Sequence, residues 1–193
     1  MAGAIHPDGD VVFIVGDKKS RLMVSSVILR NSSPVFDVLL GPKYAEGQEL
    51  SSKGSVEVPL PEDDPEALTT ILCVLHGRND RVPEEIPGDK LCEIATLCDK
   101  YDLFIPLKFA IQQLLNARRL VNEPSELWLL MSAAYWFRHE KVFAKATHDL
   151  IKYHVGSFTT FARRTEIHSD SAALICPCQY LLRNNGAGRS FEY

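Results

Sequence analysis

The sequence has no run of about 18 apolar residues, so no transmembrane helix is expected. Its first ten residues, MAGAIHPDGD, hold neither a basic stretch nor an apolar one. No secretory signal is therefore read, and an intracellular location, cytoplasmic or nuclear, is expected. Basic charge is also scarce: 21 Lys and Arg stand against 25 Asp and Glu, a net charge of −4. Neutralising phosphates takes a basic face, so no nucleic-acid partner is expected. The pairs Arg118-Arg119 and Arg163-Arg164 are too short to alter that. Five cysteines make an odd count. Cys73, Cys92 and Cys98 lie in apolar helical patterns and read as buried reduced thiols. Without secretion, the sequon Asn31-Ser32-Ser33 is an accident of composition.

Catalytic signatures are missing as well. There is no GxSxG, no Walker loop, no GxGxxG and no HExxH. The spacing of His139 and His148 does not place them on one helix face. Asp63-Asp64 reads as a helix cap, not as a catalytic pair. Cys176-Pro177-Cys178, with only His168 nearby, falls short of a zinc ligand set. No catalytic residue, cofactor or metal is assigned, and no repeat of 20 to 50 residues is found.

What is present is ordinary globular material, 46% hydrophobic and 24% charged over 193 residues. That suffices for a core without disulfides. VVFIVG, residues 11–16, reads as a buried strand, and Gly16 to Lys19 as a turn into a second strand at 21–24. A helix is expected to start near Ser25 or Ser26, with either serine as its cap. Ser33-Pro34 opens another helix, with Val35, Phe36, Leu39 and Leu40 as its apolar stripe. Gly41-Pro42 stops it. Residues 43–55 read as a polar loop. Val56 to Leu60 alternates as a third strand, and Pro59 argues for an edge position or a strand end.

Asp63-Asp64-Pro65 starts a helix that buries Leu68, Ile71, Leu72 and Leu75 and ends at His76-Gly77-Arg78. Leu91, Ile94, Ala95 and Cys98 mark a helix ending near Tyr101. Residues 105–117 form the next, with Leu107, Ile111, Leu114 and Leu115 on one side. Two more helices, joined at Arg138-His139-Glu140, are expected to form an antiparallel hairpin. The order defines an α+β domain with a small sheet of three or more strands and a cluster of helices. An all-helical extension follows. The expected division is 1–117 for the α+β domain, 118–168 for the extension and 169–193 for an irregular, disordered tail.

With these elements in place, the sequence resembles a BTB/POZ domain. The likeness rests on DVVFIVG (Asp10 to Gly16), VILRNSSPVFDVLL (Val27 to Leu40), YAEG (Tyr44 to Gly47), VEVPLPEDDPEAL (Val56 to Leu68) and LCEIATLCDKYDL (Leu91 to Leu103). The variant HGR at His76 to Arg78, Val82-Pro83 and the helical segment Leu127 to Phe137 are similar to BTB proteins of filamentous fungi. The resemblance implies a BTB/POZ fold and a non-catalytic protein–protein interaction module. Ser25 stands where many members have a histidine, which argues against corepressor docking of the transcription-factor type. The short stretch before Asp10 leaves no room for the N-terminal elements that many members exchange between protomers, which weakens the familiar dimer mode.

Tyr44-Ala45-Glu46 matches the hydrophobic-x-Glu motif by which some BTB adaptors grip a cullin scaffold. The resemblance thus makes Tyr44 and Glu46 the candidate protein-binding residues, with a cullin scaffold and a second copy of the chain as candidate partners. Phe36 and Tyr101 are expected in or near the core. Two alternatives stand beside the adaptor: a transcription or chromatin regulator working through BTB contacts, and an unrecognised enzyme. The regulator would need a basic domain on another chain. The enzyme would need a concave pocket with converging polar groups.

Overall fold

The computed structural model describes residues 3–118, 120–156, 158 and 161. Its sheet contains β1 (Gly3–Ala4), β2 (Val11–Val15), β3 (Ser20–Val24) and β4 (Val56–Leu60), in the order β1-β3-β2-β4. β2 and β3 form an antiparallel hairpin, while β4 adds to β2 and β1 to β3 in parallel. Val11, Phe13 and Val15 point into the core and Val12 and Ile14 are half-buried, the period-two pattern of a strand. Gly16, with φ 66°, takes the left-handed conformation that the hairpin turn requires. Pro59 sits on β4, an edge strand, where its missing N–H costs no ladder bond. β1 has only two residues and so left no periodicity to read.

Eight α-helices follow among the described residues: α1 (Ser26–Ser32), α2 (Pro34–Leu39), α3 (Ala45–Lys53), α4 (Pro65–Leu75), α5 (Gly88–Lys100), α6 (Lys108–Ala117), α7 (Pro124–Trp136) and α8 (Glu140–Tyr153). The Ser33 hydroxyl accepts the Phe36 N–H at 3.0 Å and donates to the Tyr101 carbonyl at 2.6 Å. One side chain thus caps α2 and ties it to the end of α5. Phe36 lies between Phe13, 5.5 Å away, and Tyr101, stacked at 4.5 Å. All three are buried, so the core position expected of Phe36 and Tyr101 is observed.

Four expectations need correcting. Residues 43–55 are not a loop; most of them form α3. Ala45, Glu46, Gln48, Glu49 and Leu50 favour a helix. Glu46 in the first turn and Lys53 in the last suit the helix dipole, and Gly54, at φ 76°, closes the end. Secondly, neither Ser25 nor Ser26 caps α1 with its side chain. Asp10 does so instead, accepting the Ser26 N–H at 2.7 Å and the Ser26 hydroxyl at 2.6 Å. Thirdly, only Asp64 caps α4, accepting from Glu66 and Ala67. Asp63 turns inward, where it meets Lys100 at 2.5 Å and the Tyr101 hydroxyl. Finally, α6 begins at Lys108, not Ile105, and leaves Ile105 outside the helix.

α7 and α8 pack on each other, and α7 packs on α5. The fit is close: a Cβ at Gly88 would lie 2.9 Å from the Leu129 side chain. Leu127, Trp128, Leu130 and Met131 join the same cluster of buried residues as the sheet and α5. Arg118 strengthens the junction by donating to the Ile86 carbonyl at 2.9 Å and pairing with Glu126. The expectations for 169–193, including Cys176 and Cys178, and for His168 lie outside the described residues.

Candidate protein-binding surface

Tyr44 and Glu46 stand where α2 hands over to α3. The Gly41 N–H returns to the Val38 carbonyl at 3.1 Å and the Tyr44 N–H to the Gly41 carbonyl at 3.2 Å, so the connection is a tight turn. Tyr44 is the residue before the helix, with extended backbone at φ −107° and ψ 155°. Its carbonyl accepts the Gln48 N–H, and the Gln48 side chain reaches back to the Pro42 carbonyl at 3.2 Å. Gly47 is buried, and a Cβ there would run into the Gly41 carbonyl oxygen. Only glycine lets the first turn of α3 approach the α2 end this closely. The Tyr44-Ala45-Glu46 step is therefore held by backbone contacts on both sides.

Tyr44 is 48% exposed. Glu46 is half-buried, in the first turn of α3, where the helix dipole favours its negative charge. Among the described residues its carboxylate has no ion-pair partner. The turn thus presents an aromatic ring beside an uncommitted carboxylate. Such a pair can fill an apolar pocket and orient a donor on a partner.

Other apolar side chains are also uncovered. Val27 on α1 is 73% exposed and Val38 on α2 is 54% exposed, with Val35 beside it. Arg30 and Asp37 join the two helices by an ion pair of 2.8 Å. Ile105, shortly before α6, and Phe109, in its first turn, are 89% and 86% exposed. The sequence reading did not single these residues out as a surface. Their signal was there: Ile105 and Phe109 fall outside the stripe of Leu107, Ile111, Leu114 and Leu115.

Between α6 and the α7–α8 pair lies a groove of about 500 Å³, lined by Leu115, Leu127, Leu130, Val142, Lys141 and Lys145 among others. Lys145 is paired with Asp149. No group of residues able to hold a metal ion occurs among the described residues. Burial pushes the Cys92 thiol up to about 12 and raises Cys73 and Cys98 as well, so these sulfurs are poor nucleophiles. His76, at the end of α4, accepts the Ser25 N–H at 3.0 Å. Its partner is the start of α1, which the helix-end reading of His76-Gly77-Arg78 did not reveal. Gly77, at φ 69°, does close the helix as read.

A small sheet covered by helices, with apolar side chains left open on several helix ends, defines a protein-binding module. The BTB/POZ domain model matches residues 8–108, just over half of the chain. This chain belongs to the BTB/POZ family, whose domains mediate protein–protein contacts and dimerisation and are typically non-catalytic. No curated protein matches it. No helix among the described residues is long and apolar enough to cross a membrane.

Proposed function

We propose that this protein is a substrate adaptor of a cullin-scaffold ubiquitin ligase and docks on the scaffold through Tyr44 and Glu46. The observation that carries the proposal is the rigid presentation of those two residues. Gly47 pressed against Gly41 fixes the turn, so little ordering entropy remains to be lost on binding. The Tyr44 ring supplies the apolar anchor and Glu46 the orienting charge. On this reading residues 1–117 form the docking unit and 118–168 the helical extension that meets the substrate. The groove between α6 and the α7–α8 pair supports that division of labour, because it offers apolar lining on the extension's own helices.

Capture of purified cullin by the intact protein tests the proposal. Retention of cullin, lost in both Tyr44→Ala and Glu46→Ala, is the supporting result. No retention at micromolar concentration removes the adaptor role and leaves the interaction module.

Self-association is a second reading with its own observation. Val27, Val35 and Val38 expose apolar surface on two adjacent helices, the kind of face that a second copy covers. Mass measurement across a dilution series decides it. A dimer that dissociates on dilution, and that Val38→Glu abolishes, supports the face; a constant monomer mass removes it.

A further inference from the structure

The start of α1 and the N-terminal segment meet at one imidazole. His76 accepts the Ser25 N–H at its Nε2, 3.0 Å away, and its Nδ1 lies 2.8 Å from the Leu72 carbonyl oxygen. A carbonyl only accepts, so Nδ1 must carry the hydrogen. An amide N–H only donates, so Nε2 must be bare. The two contacts together require the neutral ring with its proton on Nδ1.

The surroundings reinforce this. The His6 ring lies with its centroid 6.0 Å from that of His76. His6 belongs to the segment that continues β1, and the Ile5 and His6 N–H groups both donate to the Met23 carbonyl on β3 at 3.1 Å. Arg81 fastens the same segment by donating to the Ala4 carbonyl at 2.8 Å. The His6 Nδ1 is buried without a hydrogen-bond partner. The charged neighbours offer no relief. Asp10 is engaged with Ser26, Arg78 pairs with Asp80, and Cys73, one turn back on α4, is a buried neutral thiol. No carboxylate is bonded to the His76 ring to stabilise a positive charge on it.

We propose that His76 is an acid-sensitive latch, whose protonation at Nε2 frees the start of α1 and the His6 segment packed beside it. A proton on Nε2 sets N–H against N–H, and the Ser25 amide loses its acceptor. Burial, and then the neighbouring His6, hold the His76 pKa below the usual histidine value. The sign follows from proton uptake. The open state takes up the proton more readily than the closed one, so the latch is fully closed above the ordinary histidine pKa. It loosens as pH falls below that value toward the lower pKa of the closed state, by at most about tenfold per pH unit for one proton. This window lies above the ordinary carboxylate range, which separates it from Asp10. The latch is independent of the cullin contact.

Amide hydrogen exchange on the full chain, corrected for the intrinsic pH dependence of exchange, tests it. From pH 7.5 to 5.5 the opening constants of Ser25, Ile5 and His6 are expected to rise together. In His76→Gln, whose amide can accept and donate at the same two places but does not titrate, they are expected to stay level. An equal acid response in that variant, or none in the wild type, overturns the proposal. A measurement on the wild type alone also decides it, whether or not the variant folds. The ring nitrogen chemical shifts of His76 should report the Nδ1–H tautomer and a midpoint below the ordinary histidine value. The Nε2–H tautomer, or an ordinary midpoint, overturns the latch.

Discussion

Asp63 shows how one residue can decide local stability. Its carboxylate is buried against Lys100 and the Tyr101 hydroxyl. Tyr101→Phe removes one of those partners and is expected to cost about 1–3 kcal/mol, read as a shift in the urea midpoint at constant slope. The Tyr101 hydroxyl is itself held protonated, by burial and then by Asp63. Ser33→Ala removes both a cap and a tie to α5, and about 1–2 kcal/mol is expected by the same assay. Glu93 carries a pH prediction. Burial, then Asp64, raises its pKa, so the folded state holds that proton more tightly than the unfolded one. Its contribution is therefore complete below the ordinary glutamate pKa and is lost as pH rises through the raised value. Glu93→Gln should gain stability relative to wild type on going from pH 4 to pH 7; an unchanged difference contradicts this. At this scale the sequence was partly legible. Phe36 and Tyr101 declared themselves by their place in apolar patterns. The two aspartates did not, because nothing in Asp63-Asp64-Pro65 says which carboxylate turns inward.

Among the elements, α3 matters most to the binding surface. Gly47→Ala would drive a methyl group into the Gly41 carbonyl, so α3 must shift. A lower melting temperature and weaker cullin binding are expected together, whereas Gly54→Ala, with nothing near its Cβ, should strain only the helix end. Binding unchanged in Gly47→Ala at full stability would show that the close approach does not position Tyr44. The strands and α5 were legible from their apolar period, and α2 and α4 because period and cap agree there. α3 was not: its exposed face, glycine and paired serines look like a loop, and it is held by packing on β4 and by the close approach of Gly47 to Leu40 and Gly41. β1 was illegible because pairing with β3, not its two residues, makes it a strand.

For the whole molecule, the family and its fold were legible from five ordered motifs, and the match over residues 8–108 agrees with them. The arrangement of the surface was not. The exposure of Val27 and Val38 depends on which helices meet, and sequence periodicity does not encode that. On the proposed function, Tyr44 and Glu46 form a cullin-docking surface on an intact BTB fold. Titration calorimetry with a purified cullin N-terminal region tests it most directly. A micromolar or tighter complex is expected, weakened about tenfold or more by Tyr44→Ala and by Glu46→Ala while each variant keeps the wild-type melting temperature. No heat of binding at micromolar concentration, or affinity unchanged in both variants, would contradict it.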